Sequence, residues 1–342
     1  MFKKILAACL AALMIFAVGC KETVVYDDLS DYENESVPEE ETNTLSCNPL
    51  TGVNDISAEA ISRRPVAIMV NNVSTAQGVQ TGVNRADIVY ETEVEGGITR
   101  LMAVYQDITN LDKIGSVRSA RYPYVDLALG HNAIYVHCGE DPTYCKPHLK
   151  DIDDLSIDTN SKGAKRIKNG LSSEHTLYAL AGDLWENISG TFNTEDKNVE
   201  SWANFTDEAL TLDGGTATSV SVPFPAQTTK FSYDAQSGLY TRLSGSNAFK
   251  DYFTKEETQV KNVFVLLTTI SNYPDGKHRK VDLTSGDGYY ITNGTVQFIK
   301  WSKGGSTDSF KFTDTNGAEI KVSAGNSWVC IADKTTCNPV IQ

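Results

Sequence analysis

The feature that most limits what this chain can become is its opening, MFKKILAACLAALMIFAVGC. Lys3 and Lys4 precede an uninterrupted apolar run over residues 5–18. A membrane span takes about 20 apolar residues, so this run suits the core of a secretory signal instead. It closes on Ala17-Val18-Gly19-Cys20, small residues directly before a cysteine. That is the pattern of a bacterial lipobox. It predicts a signal peptide over 1–19, diacylation of the Cys20 thiol and acylation of the new amino terminus, with palmitate-class chains. A single chain holds a membrane only marginally, at about 0.8 kcal/mol per buried CH₂, so the number of chains matters. The competing reading is an ordinary signal with an incidental cysteine. No later segment approaches 18 apolar residues in a row. The predicted location is the cell membrane, lipid-anchored, on its extracytoplasmic face.

The next stretch carries Glu22, Asp27, Asp28, Asp31, Glu33, Glu35, Glu39, Glu40 and Glu41 against Lys21. With few apolar residues it cannot offset its ordering entropy, and residues 20–60 read as a disordered acidic tether. A flexible chain of about 43 residues has an end-to-end distance of roughly 35–40 Å. The whole chain holds 30 Lys+Arg and 44 Asp+Glu, a net charge of −14. That balance argues against a nucleic-acid partner and against a second electrostatic grip on anionic lipid.

Outside the membrane, disulfides persist. Beyond Cys9, Cys20 and Cys47, four cysteines form two equally spaced pairs, Cys138-x₆-Cys145 and Cys330-x₆-Cys337. We expect both pairs to be bridged, each stabilising by roughly 2.5 kcal/mol. A reactive Cys138 thiol is the alternative. A metal is not expected, because the six-residue spacing fits no common ligand pattern. No cofactor motif is present.

Strands are predicted over 65–71, 86–94, 98–105 and 132–137, a short capped helix behind Pro123, and a helix over 175–188. A polar stretch over 190–220, closed by Pro223 and Pro225, marks a domain boundary. After it strand signals dominate, with Asn293-Gly294 and Asn316-Gly317 as tight turns.

Three motifs carry candidate chemistry. GSVRSARYPY places Arg118 and Arg121 before a helix start, where backbone N–H groups and the helix dipole favour anions. YETEVEGGITR sets Glu91, Glu93 and Glu95 along one strand face, followed by Arg100. Paired carboxylates can do acid–base work, or can pair with the arginines. YVHCGEDPTYC puts His137 at a strand end, as a candidate base or a structural histidine. Tyr289, Tyr290, Trp301 and Trp328 can stack on sugars or fill a β core.

The runs ADIVYETEVEGGITRLMAVYQD, IGSVRSARYPYVDLAL and AIYVHCGEDP resemble the N-terminal domain of the YerB-like bacterial lipoproteins. YDAQSGLYTRL, KDYF, NVFVL and GNSWVCI are similar to that family's C-terminal domain. CNPLTG, at 47–52, resembles its preceding segment. The resemblance implies an α+β layered sandwich (ββα-like) over 61–205, then a mostly antiparallel β-rich domain over 220–335. It supplies no reaction. The family pattern His-x-Gly-Gly-Ser stands here as His137-Cys138-Gly139-Glu140-Asp141, and Tyr122 intervenes between the second arginine and Pro123.

Three functions follow as expectations. The first is a lipoprotein binding an anionic envelope component, such as a cell-wall polymer, through Arg100, Arg118 and Arg121. The second is a wall hydrolase or transferase using His137 with Glu91 or Glu95. The third is a scaffold docking an envelope enzyme. Whether any substrate is turned over is left open by the residues alone.

Overall fold

The computed structural model describes residues 45–342. The signal over 1–19, Cys20 and the tether up to residue 44 lie outside the described residues. The folded body begins before residue 61. Ser46–Cys47 pairs antiparallel with Asn54–Ile56, and the CNPLTG turn buries Asn48 and Leu50. Asn48 accepts from the Leu50 N–H and donates to Asp87 at 2.9 Å, so a segment that composition marks as tether is pinned by one side chain.

The first half supplies β1 (Val66–Asn71), β2 (Ile88–Glu93), β3 (Thr99–Tyr105), β4 (Ile134–His137) and β5 (Asp154–Ser156). Every residue of β1, β2 and β3 is buried, as expected of strands covered on both faces. Helix α1 (Tyr122–Leu129) starts where Pro123 fixes the backbone. The segment predicted as a helix from residue 175 divides. Leu177–Leu180 is a strand paired on both sides, and α2 (Ala181–Thr191) follows it directly.

The second half begins with the antiparallel strands β6 (Ser219–Phe224), β7 (Gln227–Asp234) and β8 (Leu239–Ser244). The prolines hid β6 from sequence reading. Pro223 is tolerated because the neighbouring C-terminal strand pairs only with Val220 and Ser221, leaving that edge free. Then come β9 (Asn262–Thr268), the hairpin of β10 (Ile270–Asn272) and β11 (Arg279–Val281), β12 (Ser285–Thr292), β13 (Thr295–Ser302), β14 (Lys311–Thr313), β15 (Ser327–Asp333) and β16 (Val340–Ile341). Asn293 and Gly294 both hold positive φ, 49° and 72°, in the β12–β13 turn.

The two halves do not make separate sheets. One 10-stranded sheet runs β14-β13-β12-β9-β15-β2-β3-β1-β4-β5. Strand β15 lies parallel to β9 on one side and to β2 on the other. Residues 45–342 accordingly fall in one compact unit. On one face Val66, Ile68, Leu101, Val265 and Trp328 pack against α2 and the β6–β8 sheet. On the other, Met69, Tyr90, Met102, Phe264 and Ile331 pack against α1 and Trp202.

Both expected disulfides are corrected by the structure: Cys138, Cys145, Cys330 and Cys337 are free, as is the exposed Cys47. Cys138 packs on the α2 face of the sheet and Cys145 is buried on the α1 face, so the sheet separates them. Cys330 and Cys337 share one core but stay thiols, acting as small apolar groups, and burial pushes the Cys337 thiol up to about 11. Tyr290, Trp301 and Trp328 are core, which removes them as sugar platforms.

At the seam sits Glu91, fully buried. Its Oε1 accepts from Asn72 at 2.9 Å, Thr99 at 2.8 Å, Thr229 at 2.8 Å and Gln227 at 3.2 Å, and its Oε2 accepts from the Trp328 indole at 3.0 Å. Arg242 reaches the same group through Asn72, its guanidinium held between Phe249 and Trp328. Donors therefore come from both halves. Glu91→Ala is expected to cost about 3 kcal/mol or more, because buried donors lose their acceptor. Chemical denaturation would show this as a lower midpoint of one shared transition, and two separate transitions would contradict the seam.

Candidate functional site

The sequence constellation gathers at the ends of β2 and β3. Arg100 projects from β3 on the same face as Met102 and is only 5% exposed. It donates one hydrogen bond, from Nη1 to the Ser119 carbonyl at 2.5 Å. No carboxylate among the described residues lies within ion-pair distance of it. Burial pulls its pKa down to about 10, and the charges of Arg121 and Arg118 push the same way against Glu95.

Arg121 precedes α1 in extended conformation, φ −137°. Its Nε donates to Glu95, and its Nη1 donates to the Ala120 carbonyl at 2.7 Å. Burial raises the Glu95 carboxyl, but Arg121 and Arg100 outweigh it and hold the group below its ordinary range. Arg118 turns toward Glu174, donating to its carbonyl at 2.9 Å and its carboxylate at 3.2 Å. Its Nε is buried without a partner among the described residues. Two guanidiniums, Arg121 and Arg100, thus act on the Glu95 carboxylate, and the charge of Arg118, itself paired with Glu174, reaches Arg100.

Sequence reasoning missed the opposite wall. The tip of the β10–β11 hairpin carries Asp275-Gly276-Lys277-His278-Arg279, and the run of four basic residues from Lys277 to Lys280 in an acidic chain was the available signal. His278 Nε2 lies 3.1 Å from Asp141 and 3.4 Å from Glu95, while Nδ1 faces Asp275. Arg279 donates to buried Glu93 at 2.7 Å and to Asn272 at 2.7 Å. Tyr144 stacks on Tyr273, centroids 3.9 Å apart. Between this wall and the Glu95–Gly97 turn opens a cleft of about 840 Å³, lined by Glu95, Gly96, Gly97, Arg121, His278 and Arg279. Gly97 has φ +72°, and a Cβ there would stand 2.7 Å from Pro225, so the turn needs glycine to seat on the β6–β7 hairpin.

The structure does not bring His137, Glu91 and Glu95 together. His137 is fully buried, with Nδ1 donating to the Gly139 carbonyl at 2.9 Å and Nε2 3.0 Å from Asp154. Glu91 lies in the seam network, and Glu95 borders the cleft. A larger groove, about 1120 Å³, is lined by Trp202, Phe205, Lys303, Asp308 and Phe310, and by no predicted site residue.

The N-terminal domain model of a protein family of unknown function, DUF3048, matches residues 50–195, and its C-terminal domain model matches residues 220–329. YerB of Bacillus subtilis (strain 168), a candidate lipoprotein by name, is 26% identical over 317 residues, covering 85% of each chain. The crystal structure of YerB from Bacillus subtilis superposes with a TM-score of 0.72 at 25% identity, covering 86% of this chain and 99% of that one.

The His278 hydrogen bond holds the Asp275 carboxyl down at about 2, against an ordinary 3.8. A depressed acid stabilises above its ordinary value and loses that contribution as pH falls toward 2. Hydrogen-exchange protection of the β10–β11 hairpin, taken relative to the intrinsic rate at each pH, should therefore fall between about pH 4 and pH 2, and Asp275→Asn should flatten that response.

Proposed function

Because the chain belongs to the two-domain DUF3048 family of YerB-like proteins, we propose that it is an extracytoplasmic lipoprotein, anchored to the cell membrane through Cys20, that binds an anionic envelope component at Arg100, Arg118 and Arg121. The signal core ending at Cys20 supports the anchor, as does the name of the Bacillus relative.

One observation carries the binding reading. Arg100 is nearly buried, has no carboxylate of its own among the described residues, and is flanked by two like charges. A buried charge costs several kcal/mol unless it is compensated. A carboxylate or phosphate oxygen among the three guanidiniums would compensate it, through short charge-assisted hydrogen bonds. An envelope enzyme acting through His137 is the weaker reading, since that imidazole has no solvent contact and its acid partner is Asp154.

The test compares the soluble mature chain, carrying Cys20→Ser, with its Arg100→Met, Arg118→Ala and Arg121→Ala variants. Retention on purified wall fragments and affinity for inorganic phosphate should each fall about tenfold or more. Arg100→Met should keep or raise thermal stability, because it removes an uncompensated charge. Unchanged retention in all three variants would overturn the binding reading. Separately, Cys20→Ser should move the protein from the membrane fraction to the medium, and wild type whose measured mass lacks acyl chains would overturn the anchor.

A further inference from the structure

Arg121 faces two ways. It belongs to the guanidinium group, and it also lines the open cleft. From its partner Glu95 the path runs 3.4 Å to His278, then along Lys277 and Arg279 on the far wall. Within the cleft these cations face Glu95 as the lining carboxylate. A Cβ built on Gly96 or on Gly276 would meet nothing within 4 Å, so the cleft is open above both. Beside it stand the half-buried rings of Tyr144, Tyr273 and Tyr122, the first two nearly parallel at 16°.

From these features we infer that the ligand is a short linear anionic glycan, with one charge held by Arg100, Arg118 and Arg121 and the next by Lys277, beside Arg279, which is itself paired with Glu93. This rests on the anion reading above. A cleft of about 840 Å³ matches a ligand of several rings, whereas one phosphate needs only the guanidinium group. The tyrosines supply apolar ring faces ending in hydroxyls, which suits sugar rings alternating with charges. The net charge of −14 repels a long polyanion beyond the cleft, so the recognised stretch is short.

The probes are inorganic phosphate, oligogalacturonates of one to six units, an uncharged oligosaccharide of equal length, and hexaglutamate, titrated against the soluble mature chain. Oligogalacturonate affinity should rise about tenfold from one unit to three or four and then level off. Lys277→Gln and Tyr273→Ala should erase most of that rise while phosphate affinity stays within twofold, whereas Arg121→Ala should weaken both. No rise with length, an equal gain for hexaglutamate, or indifference to Lys277→Gln and Tyr273→Ala would each overturn the glycan track. Failure of phosphate binding would instead overturn the anion reading and with it the placement of the first charge, whereas a flat length dependence with phosphate binding intact overturns the glycan track alone.

Discussion

The rest of the structure depends on the pairing of β15 with β2. These strands are more than two hundred residues apart in sequence, yet Ser327 to Ile331 run in register with Ile88 to Thr92. The pairing converts two sequence domains into one sheet and sets the Trp328 indole against the Glu91 carboxylate. A carboxylate with five donors and no solvent is costly to misplace, so it fixes the register as well as the contact. The outer sheet β6–β8 then docks on the seam, because Gln227 and Thr229 complete the same carboxylate's shell.

From that seam the site follows. One residue pair beyond Glu91 the strand ends in Glu93, then in the glycine turn that seats on Pro225. The hairpin from the second half reaches back, and Arg279 takes Glu93. Cations from both halves thereby face one cleft in a molecule that is otherwise strongly acidic.

Much of the scaffold could be read from residue pattern. The continuous apolar runs announced β1 and β3, Pro123 announced α1, and Asn293-Gly294 announced a hairpin. What the pattern could not show was sheet membership. Nothing local in SWVCIAD distinguishes a strand that completes its own domain from one inserted against β2. Equal cysteine spacing suggested bridges, but spacing is blind to which face of a sheet each thiol takes. Alternation correctly put Glu91 and Glu93 on one strand, yet could not tell that one bonds Trp328 and the other Arg279. Arg121 and Glu95 were legible as neighbours, while His278 was not, because it arrives from a different domain of the sequence.

The position of β15 also bears on synthesis. It lies at residues 327–333 of a 342-residue chain, so nearly everything else has been made before the edge of β2 can be covered. Until then an all-buried strand presents an open row of amides and carbonyls, the arrangement that templates intermolecular pairing. Maturation of this chain is therefore a race between its own late strand β15 and its neighbours, and a holding chaperone would shift the outcome.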